Sequence, residues 1–204
     1  MQRSNSQKTI NILSILFFMS GVSALIYQVT WQRLLFATMG SDIESVTVIV
    51  SVFMLGLGIG ALIGGRMVDF FPGLAVLLFS AAEIGIGVFG VFSRSIILGV
   101  GGYFYSGSSF ITALISFSII LFPTILMGAT LPILVSFLAK KWANVGAATG
   151  HMYSFNALGA AIGAFVTGYW LFGAFTLTES IYLAATINIG VALFALVFFR
   201  GKYE

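Results

Sequence analysis

Apolar residues run along this chain in long unbroken stretches, separated by short polar or glycine-rich breaks. A helix crossing a bilayer needs about 20 mostly apolar residues. Six stretches meet that length: Ile10 to Leu35, Val46 to Gly64, Leu74 to Phe92, Phe110 to Leu138, Val145 to Phe172 and Ile181 to Phe199. None shows the ten-residue alternation of a membrane barrel. The pattern predicts an all-α integral membrane protein, a single transmembrane domain over residues 1–204 built as a six-helix bundle. The breaks are short. The longest, Ser93 to Ser109, holds Gly99, Gly101, Gly102 and Gly107 beside Tyr103 and Tyr105, and is expected to dip into the outer interface.

Composition agrees. Of 204 residues, 59% are hydrophobic and 7% charged, too few charges to cover a water-soluble fold. With 21 Phe the chain is not disordered, and with no Cys it holds no disulfide or cysteine-ligated zinc. Six spans put Arg3, Lys8, Arg66, Lys140, Lys141, Arg200 and Lys202 on one side. Arg33 and Arg94 fall on the other, with Asp42, Glu44 and Glu179. By the positive-inside rule both termini are expected in the cytoplasm. The net charge of +3 then reflects topology, not nucleic-acid binding. Arg3 and Lys8 followed by an apolar run and Val22-Ser23-Ala24 also resemble a signal peptide, but the run is longer than a usual signal core, so retention as a first span is expected.

Against this background a few polar residues stand out. Glu83 falls near the middle of the third predicted span, where a carboxylate costs at least about 2.5 kcal/mol and normally faces the bundle interior. It reads as a proton carrier, as a partner for a cationic substrate, or as a protonated carboxyl bonded to a neighbouring helix. In the first span Tyr27, Gln28, Trp31, Gln32 and Arg33 form a polar-aromatic cluster with Tyr27/Trp31 and Gln28/Gln32 one turn apart. Trp31 and Arg33 fit an interfacial belt. Gln28 lies deeper and is a candidate to bond Glu83 or line a cavity. Asn156 and Asn188 lie within spans as interhelical hydrogen-bond partners. Tyr27, Gln28, Trp31 and Asn156 join Glu83 as candidates for a solute or proton site.

Glycine marks other features. Gly56, Gly60 and Gly64 recur every four residues, as do Gly159 and Gly163, which predicts close helix contact. The Gly-x-Gly pattern there lacks the strand that a dinucleotide loop requires. In the fourth span Pro123, Gly128 and Pro132 predict a kinked or broken helix of the kind that lines transporter cavities, or a kink patched by Thr124 and Thr130. Gly65, Arg66 and Asp69 form a turn on the expected cytoplasmic side, followed by Pro72 and Gly73. His151, the one histidine, has no acidic pair nearby, so it builds no metal site by itself and reads as a helix-end residue. No cofactor-binding pattern and no catalytic triad are present.

Several segments together resemble one family. They are Ser20-Gly21-Val22-Ser23-Ala24-Leu25-Ile26-Tyr27-Gln28-Val29-Thr30-Trp31-Gln32-Arg33-Leu34, then Gly40-Ser41, then Phe53-Met54-Leu55-Gly56-Leu57-Gly58-Ile59-Gly60 leading into Gly64-Gly65-Arg66-Met67-Val68-Asp69. Pro123 through Pro132 and Tyr153-Ser154-Phe155-Asn156-Ala157-Leu158-Gly159-Ala160 follow in family order. The chain resembles the transmembrane module of membrane-bound spermidine-synthase-like proteins, the fused MFS/spermidine synthases. It departs at Gln28, where members commonly carry an acidic residue, and at Phe70, where they tend to have a basic one. In fused members a soluble aminopropyltransferase-like domain follows the membrane module. Here the sequence stops at Glu204, so a non-enzymatic membrane subunit is expected, one that docks a soluble or membrane partner, such as an aminopropyltransferase-like chain, and handles a small polar or cationic solute.

The resemblance also implies likeness to one half of a major facilitator transporter, whose signature between helices two and three is similar to the Gly65-Arg66-Met67-Val68-Asp69 turn. A half has only half of a pathway, so the alternative is a homodimeric transporter of a polyamine or another polar solute. Either reading places the chain as a multi-pass protein in a bacterial or archaeal cytoplasmic membrane, with the lipid bilayer and a homodimeric or other subunit as partners and no nucleic acid.

Overall fold

The computed structural model describes residues 2–103, 109–142 and 144–199. Six long helices account for nearly all of them: α1 Gln2–Met39, α2 Asp42–Phe70, α3 Ala75–Tyr103, α4 Ser109–Trp142, α5 Val145–Ala174 and α6 Leu177–Phe199. Each is long and apolar enough to cross a membrane, and no strand occurs among the described residues. In hydrocarbon every backbone N–H and C=O must be satisfied inside the chain, and a helix does this residue by residue.

The turns are short and chemically specified. Gly40, at φ 71°, takes the left-handed conformation that a side chain disfavours, and its N–H closes on the carbonyl of Phe36. Ser41 caps α2 by accepting from the Glu44 N–H at 3.3 Å, with Asp42 and Glu44 in the positive first turn. Leu74 N–H donates to the Phe71 carbonyl across Pro72 and Gly73. Asn144 caps α5 at Ala147. Thr176 and Glu179 form a reciprocal capping box at α6: Glu179 N–H donates to the Thr176 hydroxyl, and Thr176 N–H donates to the Glu179 carboxylate.

Connections of two to five residues force neighbouring helices to run in opposite directions. Arg33, Asp42, Glu44, Arg94 and Glu179 therefore gather at one end, and Lys8, Arg66, Asp69 and His151 at the other. At the first end Gln32 donates to Asp42 at 3.0 Å, and Arg33 lies over the Phe172 ring. Asp69 and Arg66 are exposed. Of the cations that orient the bundle by sequence, the side chains of Arg3, Lys140 and Lys141, and all of Arg200 and Lys202, lie outside the described residues, as do Tyr105 and Gly107 of the expected interfacial loop.

Helix α1 is the hub and touches each of the other five. Glycine lets two of its neighbourhoods close to backbone contact. A methyl group at Gly56, Gly60 or Gly64 of α2 would overlap Thr124, the Ile125 carbonyl or Ala129 of α4. In return, one at Gly128 would overlap the backbone of Leu57. On the other side, Gly159 and Gly163 of α5 abut the carbonyls of Phe18 and Val22, while Gly21 of α1 abuts the carbonyl of Asn156. Both seams are reciprocal.

Three expectations need correction. Gly65, Arg66 and Asp69 are not a turn: α2 runs on through them to Phe70, and the chain turns only at 71–74. The fourth helix is not broken: α4 continues through Pro123, Gly128 and Pro132. Gly128 serves close packing instead of a break, and the Thr124 and Thr130 hydroxyls bond Leu121 and Met127 carbonyls within the same turns. The irregularity lies in α5, where Thr167–Leu171 forms a π-helical turn with the Thr167 hydroxyl on the Gly163 carbonyl at 2.6 Å. Residues 93–103, expected in a loop, extend α3 instead. Their apolar side chains, such as buried Ile97, and the approach of Gly101 to Thr38 of α1 outweigh the glycine content.

The seams should be testable separately from glycine content. Gly60→Leu or Gly159→Leu is expected to destabilise the bundle by about 2 kcal/mol or more, by forcing helix backbones apart. Gly58→Ala and Gly65→Ala, where an added carbon meets open space, should not. Denaturant titration of the detergent-purified protein, followed by tryptophan fluorescence, measures both.

Candidate functional site

Helices α1 and α3 run parallel and meet in a regular register: Ser20 beside Glu83, Tyr27 beside Gly90, Trp31 beside Ser93 and Thr38 beside Gly101. This seam holds Ser20, Glu83 and Ser93 among the buried polar residues. Glu83 is fully enclosed, at 0% exposure. The Ser20 hydroxyl donates to its Oε1 at 2.6 Å, and the Asn188 side-chain amide of α6 donates to its Oε2 at 2.5 Å. Three helices thus converge on one carboxyl group, and both partners are neutral.

The depth follows from the helices. Asn188 lies eleven residues from each end of α6, and Ser20 lies in the middle third of the Lys8–Met39 span. Glu83 itself lies eight residues into α3 and not at its centre, because α3 runs on to Tyr103. Its partners, more than its own helix, put the group deep in the bundle. At that depth an ionisable group is expected to face protein, as Glu83 does.

Above this cluster sits an aromatic stack. Tyr27 and Trp31 are fully buried, with ring centroids 4.8 Å apart and planes at 25°. Phe89 meets Trp31 edge-on at 5.7 Å. The indole N–H donates to the Ser93 hydroxyl at 2.9 Å, which donates in turn to the Gly90 carbonyl. Gly90 is required here: the Tyr27 hydroxyl occupies the space a Cβ would take. That hydroxyl has no hydrogen-bond partner, nor have Thr30 Oγ1, Ser80 Oγ or Asn188 Oδ1 among the described residues.

The expected site is therefore regrouped. Glu83, Tyr27 and Trp31 share the seam. Trp31 is not an interfacial anchor, because its one donor is met by Ser93 inside the protein. Arg33 remains exposed at the helix end. Gln28 is half-buried and does not reach Glu83, whose oxygens are taken by Ser20 and Asn188. Asn156 faces away from the cluster and donates to the Phe17 carbonyl at 3.1 Å, tying α5 to α1. His151 makes a similar tie with Ser14 at 2.8 Å. Ser20 was not singled out by its chemistry, because one hydroxyl among many in apolar helices carries no signal. The signal available was spacing: Ser20 and Tyr27 are seven residues apart, as are Glu83 and Gly90, two turns along each helix.

A second feature borders the cluster. An apolar groove of about 350 Å³ lies between α1 and α6, lined by Leu16, Met19, Ile187, Val191 and Phe194 among others. Met19 and Ile187 are the chain neighbours of Ser20 and Asn188. Among the described residues no group of three or more His, Cys, Asp or Glu side chains is arranged to hold a metal.

The cluster makes a quantitative prediction. Asn188→Ala removes a buried donor to the carboxyl and should cost about 2 kcal/mol of stability. The cost should shrink to about 1 kcal/mol or less in a Glu83→Gln background, where no carboxylate is left unpaired. A double-mutant cycle read by denaturant titration gives the coupling.

Comparison with known proteins adds kinship without a fold template. No protein-family model matches the chain, and no solved structure gives a significant match. The chain is 25% identical over 200 residues to a polyamine aminopropyltransferase of Oceanobacillus iheyensis. The aligned region covers 97% of this chain and 38% of that relative, so the chain spans well under half of the curated protein to which it is similar.

Proposed function

We propose that this chain is the membrane-embedded module of an aminopropyltransferase-like system. In this reading the module carries no catalytic step of its own. It docks a soluble or membrane partner and handles a small polar or cationic solute, with Glu83 as the residue that responds to charge. The observation that carries the reading is the buried Glu83 carboxyl, held by Ser20 and Asn188 from two other helices inside an otherwise apolar bundle. The likeness to a polyamine aminopropyltransferase along nearly the whole chain supports the assignment to such a system. An ionisable group at this depth is costly, and function is the usual reason one is kept.

A half-size, MFS-like homodimeric transporter is the second reading, favoured by α5. That helix is the least apolar of the six spans and also the least covered by the rest of the bundle. Between exposed apolar side chains such as Leu158, Ile162 and Phe165, its outward face carries Thr149, Gly150, Ser154, Ala157, Ala161 and Gly168, small or polar residues that give another helix room to approach. A second copy packed on this face would complete a pathway that one six-helix unit only half encloses.

Uptake of radiolabelled putrescine and spermidine into proteoliposomes, together with crosslinking in native membranes, tests both readings. Saturable uptake that falls at least about tenfold in Glu83→Gln supports solute handling through this residue. Uptake unchanged by that substitution removes Glu83 from the function, and no uptake of any polyamine removes the solute class. A chain that crosslinks to nothing and migrates as a monomer in mild detergent overturns the docking role and the homodimer together.

A further inference from the structure

Ser20 behaves unlike most of the other buried hydroxyls with partners. Ser14, Ser23, Ser93, Thr130 and Thr167 each donate to a carbonyl three or four residues back on their own helix. That is the ordinary resting place for a hydroxyl inside a helix. The Ser20 hydroxyl turns away from its own helix and donates to Glu83. Its oxygen can also accept, since a hydroxyl carries two lone pairs beside its one donor.

The surroundings define what Glu83 itself can take up. The carboxyl is fully enclosed, Asn188 is 1% exposed, and Ser20 is 6% exposed. A metal ion would need more oxygen donors than this cluster offers, and an organic ammonium would need space. A proton needs neither. An isolated buried carboxylate between neutral partners carries an uncompensated desolvation cost, which a proton removes.

We propose that Glu83, Ser20 and Asn188 form a proton-binding site in which Ser20 is the positioning residue that serves both charge states. With Glu83 ionised, the Ser20 O–H donates to Oε1 and the Asn188 amide donates to Oε2. When a proton from the aqueous phase binds Oε1, the Ser20 O–H···Oε1 bond breaks. The new Oε1–H donates to the Ser20 oxygen, and the serine proton rotates off Oε1 about the Cβ–Oγ bond. The Asn188 donation to Oε2 is unchanged, so heavy atoms stay in place while one charge is neutralised. Release of the proton reverses each step.

The facing groups fit this exchange. From α1 the titratable neighbour is Tyr27, which is within electrostatic reach of Glu83. From α6 the neighbour is Asn188, and Tyr182 and Glu179 of that helix are exposed towards its far end. On α3 itself Ser80, one turn before Glu83, is buried and has an unpartnered hydroxyl, as has Tyr27 beyond it. Among its described side chains α4 has no titratable group, and His151 of α5 is engaged with Ser14. The site thus lies between two rotatable hydroxyls in the α1–α3 seam. The inference rests on Glu83 being the charge-responsive residue of the module, and it makes the ligand at that residue a proton instead of the solute.

Infrared difference spectra of the full chain in proteoliposomes, recorded between buffered pH steps, read this directly. A carboxyl C=O band that grows as pH falls and vanishes in Glu83→Gln is expected. Glu83→Asp, which keeps the acid, should move the band instead of removing it, and it serves if the glutamine variant does not fold. Ser20→Ala should move the titration midpoint by about one pH unit, since a charged acceptor gains more from the hydroxyl than a neutral one. Ser20→Thr should restore the midpoint. Absence of a band that depends on residue 83, or a midpoint indifferent to Ser20→Ala, overturns the proposal. A positive spectrum with no polyamine uptake would sink the solute reading while leaving the proton site standing.

Discussion

Backbone-to-backbone contact at glycine is the constraint on which the rest of this bundle depends. In a bilayer the hydrophobic effect does not drive helices together, so close packing and interhelical hydrogen bonds must. Here α2 is held to α4 through Gly56, Gly60, Gly64 and Gly128, and α1 to α5 through Gly21, Gly159 and Gly163. The second seam fixes α1 from behind. Gly21 faces α5 while the adjacent Ser20 faces Glu83 on α3. A hydroxyl donating at 2.6 Å tolerates little drift, so the precision at the carboxyl is inherited from a glycine contact on the adjoining face of the same helix.

The polar seam between α1 and α3 uses the position that packing provides. Its chemistry is graded along the helices. An ionisable centre sits at Ser20, Glu83 and Asn188, then come the unpartnered Tyr27 hydroxyl, the buried Trp31 with its Ser93 acceptor, and charged residues at the helix end. Asn156 and His151, although polar and within or near spans, serve the α1–α5 contact. Polar side chains in this protein thus divide into those that fasten helices and those that surround the carboxyl.

Much of this was legible in the residues. Six apolar runs set six helices, because length and hydropathy suffice when the solvent is hydrocarbon. Glycine spacing identified the two seams, since a repeat of four places small residues on one helix face. Glu83 stood out by cost. What sequence could not show was which helix faces which. Gln28 and Asn156 were expected at Glu83 on polarity and depth, yet the rotation of α1 and the placement of α5 turn them elsewhere, and Ser20 takes the place. The prolines of α4 suggested a break. The helix is continuous instead, with Thr124 and Gly128 packed on α2 and the Thr124 and Thr130 hydroxyls bonded to carbonyls of the turn before. Signals of helix ends were likewise weaker than tertiary packing at 93–103, where glycines lie inside α3.

The π-helical turn at Thr167–Leu171 sets how relatives of this chain should be compared. A π-turn accommodates one residue more than the α-helical path it replaces, and it leaves the helix on either side in its own register. The Gly159/Gly163 seam precedes it, and the Phe172 ring under Arg33 follows it. A relative whose fifth helix is regular would align with a single-residue gap here, with both flanks superposing. A gap of that kind would be a change of local winding and not a loss of chain length, so alignments that spread it into the neighbouring loop would misassign each residue from Tyr169 to the Phe175 bend.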